Sequence, residues 1–85
     1  MDLEQIGRLI ASTRKKLKLG QREVALRAAV SLRTMTLLES GRATEIGYGK
    51  LARILAALGL ELRIEPVAKG RPTLEDLLKE DSGDD

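Results

Sequence analysis

Residues 21–41, QREVALRAAVSLRTMTLLESG, constrain the fold more than any other stretch of the chain. Val24, Ala25 and Ala28 recur at helical spacing and define a short helix over about Gln21–Ala28. Ala25 is small enough to let another helix approach closely. Ser31 is a good N-cap for a second short helix, roughly Leu32–Ser40, with Met35 and Leu38 turned inward and Gly41 ending it. Only Ala29-Val30-Ser31 separates the two, and an apolar Val30 in so tight a turn reads as the plug between them.

The flanks continue the helical pattern. Ile6, Ile10, Thr13 and Leu17 recur at helical spacing, with Leu3 and Leu9 nearby, and predict a first helix over about Asp2–Leu17. Cations gather at its C-terminal end, where the helix dipole is negative. Lys18-Leu19-Gly20 breaks the pattern, and Gly20 can cap the next helix. After a loop over 42–47, Leu51, Ile54, Leu55 and Leu58 define a fourth helix, roughly Tyr48–Leu58, stopped by Gly59. The only aromatic residue, Tyr48, reads as a position at the edge of the core.

The period then changes. Leu60, Leu62 and Ile64 alternate with Glu61, Arg63 and Glu65 up to Pro66, the pattern of a half-buried strand. A lone strand needs a partner for its backbone groups, and no second strand is evident. The same strand of another subunit is the expected partner, so Leu60, Leu62 and Ile64 are the expected dimer contact. The other reading is a loop that packs Leu60 and Leu62 onto its own domain. Residues 1–65 then form one domain, and 66–85 form a linker and an acidic tail. Within the tail, Thr73 caps a short helix whose stripe of Leu74, Leu77 and Leu78 looks built to dock on a partner or on the body. The expected fold class is mainly α: a helical bundle plus one short C-terminal strand pairing across a dimer.

Composition narrows the chemistry. An 85-residue chain is marginal alone, and small domains turn to disulfides, metals or oligomerisation. With no Cys and no His, oligomerisation is the expected remedy, and neither a metal site nor a cofactor is expected. Without Cys, His or a glycine-rich phosphate loop after a strand, no catalytic residues are assigned and an enzyme is not expected. No apolar run approaches the roughly 20 residues of a membrane span. The start Met1–Glu4 lacks the hydrophobic region of a signal peptide, so the expectation is a soluble cytoplasmic protein. The net charge of +2 conceals a body of +7 over residues 1–72 and a tail of −5 over 73–85. A basic body suits a polyanion, and an acidic tail suits solubility or a protein partner.

Two short helices about a tight connection have the layout of a helix-turn-helix, whose second helix enters the DNA major groove. Arg33, Thr34, Thr36 and Leu37 lie off the Met35–Leu38 stripe. An outward leucine among hydroxyls and one arginine suits base edges and thymine methyls better than bulk water. The competing reading packs Leu32 or Leu37 against a neighbouring helix.

Leu19-Gly20-Gln21, Val24-Ala25, Ala28-Ala29-Val30-Ser31, Thr34-Met35 and Glu39-Ser40-Gly41-Arg42 together resemble the Cro/lambda-repressor (XRE-type) helix-turn-helix family. The resemblance covers roughly Ile6–Leu58. Gly20 departs from the family's Thr or Ser cap. Ala29 departs from its turn glycine, although alanine adopts left-handed backbone reluctantly. Residues 47–51 and 54–62 resemble the HipB-like branch, and residues 71–78 are similar to tails in that branch. Those relatives are autoregulating antitoxins that dimerise through a strand after the last helix and bind a HipA-type kinase toxin.

The resemblance implies residue roles. Gln21 contacts a backbone phosphate and braces the third helix. Ser31, Leu32, Arg33 and Thr34 form the first turn of the recognition helix, with Arg33 the candidate for a bidentate guanine contact. Thr36 and Leu37 follow one turn on, Leu37 where relatives place a base-reading side chain. Arg42 and Lys50 are phosphate clamps. Arg14 and Glu39 match a partly buried ion pair joining helices one and three. Leu74, Leu77 and Leu78 are candidates for partner binding. The expected function is a repressor of inverted-repeat operator DNA, and in this branch the antitoxin of a HipA-like kinase toxin. The alternatives are a solitary or phage-type repressor, or a protein-binding module acting through the tail.

Overall fold

The computed structural model describes residues 1–67 and contains four helices: α1 (Leu3–Lys16), α2 (Gln21–Ala28), α3 (Leu32–Glu39) and α4 (Tyr48–Ala57). These agree within a residue or so with the ranges read from periodicity. Asp2 opens α1 with a full capping box: its carboxylate accepts from the Gln5 amide at 2.8 Å, and its own amide donates to the Gln5 side chain at 2.9 Å. Ser31 caps α3 by accepting the Thr34 amide at 3.0 Å. Gly20 and Gly47 open α2 and α4 in extended backbone without a side-chain cap.

The apolar stripes meet in one core of Ile10, Val24, Ala25, Ala28, Met35, Leu38, Leu51, Ile54, Leu55 and Leu58. Helix α2 packs on both α3 and α4, while α1 packs on α3. Val30 does lie against this core, wedged in the turn between α2 and α3 as its apolar character requires. No helix among the described residues is long and apolar enough to cross a membrane.

All four helices end the same way. The amide just after the left-handed residue bonds back to the carbonyl five residues earlier: Leu19 to Arg14, Val30 to Ala25, Arg42 to Leu37 and Leu60 to Leu55. In three of the four, that residue is apolar and packs on the core, which sets the direction of the outgoing chain. This ending needs one residue in left-handed backbone. Gly41 (φ 77°) and Gly59 (φ 74°) supply it without strain, whereas Lys18 (φ 59°) and Ala29 (φ 54°) hold it against a steric cost of about 1–2 kcal/mol each. Ala29→Gly and Lys18→Gly are therefore expected to stabilise the domain by about 1 kcal/mol apiece, part of the gain being offset by the freer unfolded chain. Urea unfolding of the two variants checks this, and a loss of stability in either would show that its turn carries no strain.

The segment expected to be a strand pairs as a strand with no other described residues. No strand is assigned among the described residues, and beyond the bond from the Leu60 amide to Leu55 the backbone of residues 60–64 pairs with no other described segment. Its side chains nevertheless keep the period of an extended chain. Arg63 pairs with Glu61 at 3.0 Å and lies 3.9 Å from Glu65, so residues two apart share one face. On the apolar side Leu60 packs against the core, but Leu62, Ile64 and Val67 are 44%, 83% and 48% exposed. The short helix expected around Leu74, Leu77 and Leu78 lies outside the described residues.

Candidate nucleic-acid interface

A partly buried charge network holds α3. Arg14 donates from Nε and Nη2 to the two carboxylate oxygens of Glu39, both at 2.8 Å, in the parallel fork that guanidinium and carboxylate planes favour. Its Nη1 donates to the Leu19 carbonyl at 2.8 Å, and Gln21 adds a donor to Glu39 at 3.0 Å. The two charged side chains are only 12% and 6% exposed. Burial opposes the charge on Glu39, but the hydrogen bonds from Arg14 and Gln21, with the attraction of Arg14 and Lys15, outweigh it and hold the carboxyl below its ordinary value of 4.5. The hydrogen bond to Glu39 dominates on Arg14 and raises its pKa despite burial. The ion pair implied by the resemblance is thus present, and it ties α1, the α1–α2 turn and α2 to the end of α3.

Gln21 links this network to the outer face of α3. Its amide nitrogen is turned in to Glu39, which leaves its oxygen 3.4 Å from the Thr36 hydroxyl. The bracing role expected of Gln21 is therefore visible in the geometry. On the outer face Arg33 is exposed and Leu32 is 36% exposed, while Thr34 and Leu37 are half-buried.

Thr34, Leu37, Arg42 and Lys50 come together along one open groove of about 560 Å³, completed by the loop over 43–47. The Leu37 carbonyl accepts from the amides of Arg42 and Ala43 at 3.0 and 3.1 Å, so the end of α3 and the start of the loop are fixed together. Among the described residues Glu45 is the only carboxylate lining the groove. Arg33, Arg42 and Lys50 make no ion pair among the described residues, unlike Arg8, Arg14, Arg27 and Arg63. The arrangement offers three free cations, one uncapped helix start at Gly47 and an apolar-hydroxyl helix face, a combination suited to a polyanion with apolar features between its charges.

Leu60, Leu62 and Ile64 do not join this groove; Leu60 and Leu62 instead border a smaller apolar one of about 220 Å³ with Ile6, Leu9 and Leu55. Tyr48 is not at the core edge as read from sequence. It is the first residue of α4 and 71% exposed, because a helix's first turn precedes the stripe that faces the core.

Two residues essential to the geometry carry no motif. Gly7 brings α1 against the α3 backbone, and a Cβ there would lie 1.9 Å from the Leu38 carbonyl oxygen. A glycine inside an otherwise helix-favouring segment is the sequence sign of such an approach, since it costs about 1 kcal/mol relative to alanine. Arg53 reaches from α4 to donate to the Ala28 carbonyl at 2.7 Å, satisfying an acceptor at the end of α2 beside the strained Ala29. Nothing local distinguishes it from any other cation on a helix surface. In comparison with known proteins, no family model matches the chain and no curated protein matches it.

Proposed function

We propose that this chain is a sequence-specific DNA-binding repressor that acts as a two-fold dimer, with α3 in the major groove. The observation that carries the reading is the α2–turn–α3 unit itself: a left-handed Ala29, a Ser31 cap and a partly buried Arg14–Glu39–Gln21 brace present Arg33 outward, with Arg42 and Lys50 on the adjoining groove. In this reading Arg33 reads guanine, Arg42 and Lys50 clamp phosphates, and the α4 amides add a donor surface for a phosphate. Gln21, Ser31, Leu32, Thr34, Thr36 and Leu37 complete the contact.

The dimer would be joined through residues 60–64, whose unpaired backbone and exposed Leu62 and Ile64 suit a ribbon formed with a second copy. Two recognition helices then lie about one DNA turn, roughly 34 Å, apart and read an inverted repeat. The resemblance of residues 47–62 and 71–78 to the HipB-like branch supports the narrower reading of an autoregulating, non-enzymatic antitoxin of a HipA-like kinase toxin in the cytoplasm, with Leu74, Leu77 and Leu78 on the toxin.

The test is a titration against the protein's own promoter region at two salt concentrations, with Arg33→Ala alongside. Wild type is expected to bind tightly, with an affinity that falls steeply as salt rises. Arg33→Ala is expected to lose about 1–3 kcal/mol of discrimination between that DNA and an unrelated duplex. Equal affinity for both duplexes by wild type would overturn the reading.

A further inference from the structure

Resting on the DNA-reading role proposed above, the geometry points to a narrower ligand chemistry. We infer that α3 selects DNA mainly through the C5-methyl groups of pyrimidines in the major groove, with a single guanine contact for register.

The argument is an inventory of donors and acceptors. The helix carries two charged side chains, and Glu39 is turned inward onto Arg14, so Arg33 alone remains on the outside. The Thr36 hydroxyl proton goes to its own helix, donated to the Leu32 carbonyl at 3.0 Å. The Ser31 and Thr34 hydroxyls bond each other at 3.0 Å while Ser31 also accepts the Thr34 amide at 3.0 Å, so only one proton of that pair stays free. What the helix does offer is hydrocarbon. Leu32 keeps 36% of its surface exposed although Met35 and Leu38, on the same helix, are 0% and 1% exposed, and Leu37 lines the groove with Thr34.

A leucine pressed on a base edge that carries only donors and acceptors strips them of water without replacing a hydrogen bond, which is unfavourable. The pyrimidine C5-methyl group is the one major-groove feature that gains from contact with it. Thymine and 5-methylcytosine both carry that methyl, and they differ at position 4 of the ring, an acceptor in the first and a donor in the second.

The experiment starts by selecting tight-binding duplexes from a randomised library with the full chain. Each thymine of the winning duplex is then replaced in turn by deoxyuridine, cytosine and 5-methylcytosine. One or two positions per half-site are expected to lose about three- to fivefold in affinity with deoxyuridine, the effect of one methyl group. Recovery with 5-methylcytosine relative to cytosine would show that the methyl alone is read, and failure to recover would assign the contact to thymine specifically. Leu32→Ala or Leu37→Ala should abolish the deoxyuridine effect at its own position. Because the methyl is removed from the DNA, the central measurement is independent of any folding defect in a variant. A fully deoxyuridine-substituted duplex that binds as tightly as the original would overturn the inference while leaving DNA reading intact. A library with no enrichment over background would overturn both.

Discussion

Gly7→Ala is expected to cost the domain about 3 kcal/mol, at or beyond the upper end for overpacking, because the clash is with backbone rather than a side chain that can rotate away. The new Cβ would sit 1.9 Å from the Leu38 oxygen and 2.9 Å from its carbonyl carbon, so α1 must move off α3. For a domain of this size that corresponds to a fall in Tm of about 12–24 °C. A domain of this size ordinarily has about 3–10 kcal/mol of stability in all, so the loss is a large fraction of it. Thermal unfolding followed by circular dichroism checks it. Gly49→Ala is the control: its Cβ would meet only the flexible Arg53 end at 3.5 Å, and helix propensity should make it neutral or stabilising. A loss under 1 kcal/mol at Gly7 would mean that α1 and α3 slide past each other without resistance, which contradicts a core in which Ile10 and Leu38 are fully buried.

Removing one side of the Arg14–Glu39 pair is the second large effect. Arg14→Ala or Glu39→Ala leaves a charge in a site where the side chains are 12% and 6% exposed, and about 3–5 kcal/mol is the expected loss. Arg14→Met with Glu39→Leu should recover most of it, since the penalty comes from the unpaired charge rather than from the absence of the pair. If the double variant is no better than the singles, the network is needed for alignment of α3 and not only for neutralisation. The pair also sets a pH dependence. The carboxyl of Glu39 titrates below 4.5 in the folded chain, so its contribution is complete above 4.5 and is lost as the pH falls through the lowered value. Arg14 is shifted the other way by the same contact and stays charged over this range, so it adds no separate pH dependence there. Denaturant unfolding above and below pH 4.5 should show wild type losing stability on acidification, with Glu39→Gln lacking that component.

The network gives these stability effects a functional consequence. Gln21 donates to Glu39 and its oxygen lies 3.4 Å from the Thr36 hydroxyl, so the residues that neutralise the partly buried charge also touch the outer face of α3. Under the proposed DNA-binding role, variants of the pair that remain folded are the ones expected to separate affinity for DNA from stability.

The four helices, their caps at Ser31 and their glycine ends at Gly41 and Gly59 were legible in the sequence because they depend on neighbours within a turn or two. So were the core positions, which follow helical period. The groove of Thr34, Leu37, Arg42 and Lys50 was legible residue by residue through the family resemblance, although its closure by the 43–47 loop was not. Tertiary structure alone decided the rest. The Gly7–Leu38 contact and the Arg53–Ala28 bond join residues 25 or more positions apart, and no local pattern specifies which backbone atom will face which side chain. Residues 60–64 show the same division. Their alternation sets an extended, two-faced chain, but a strand exists only where a second backbone pairs with it, and none does so among the described residues.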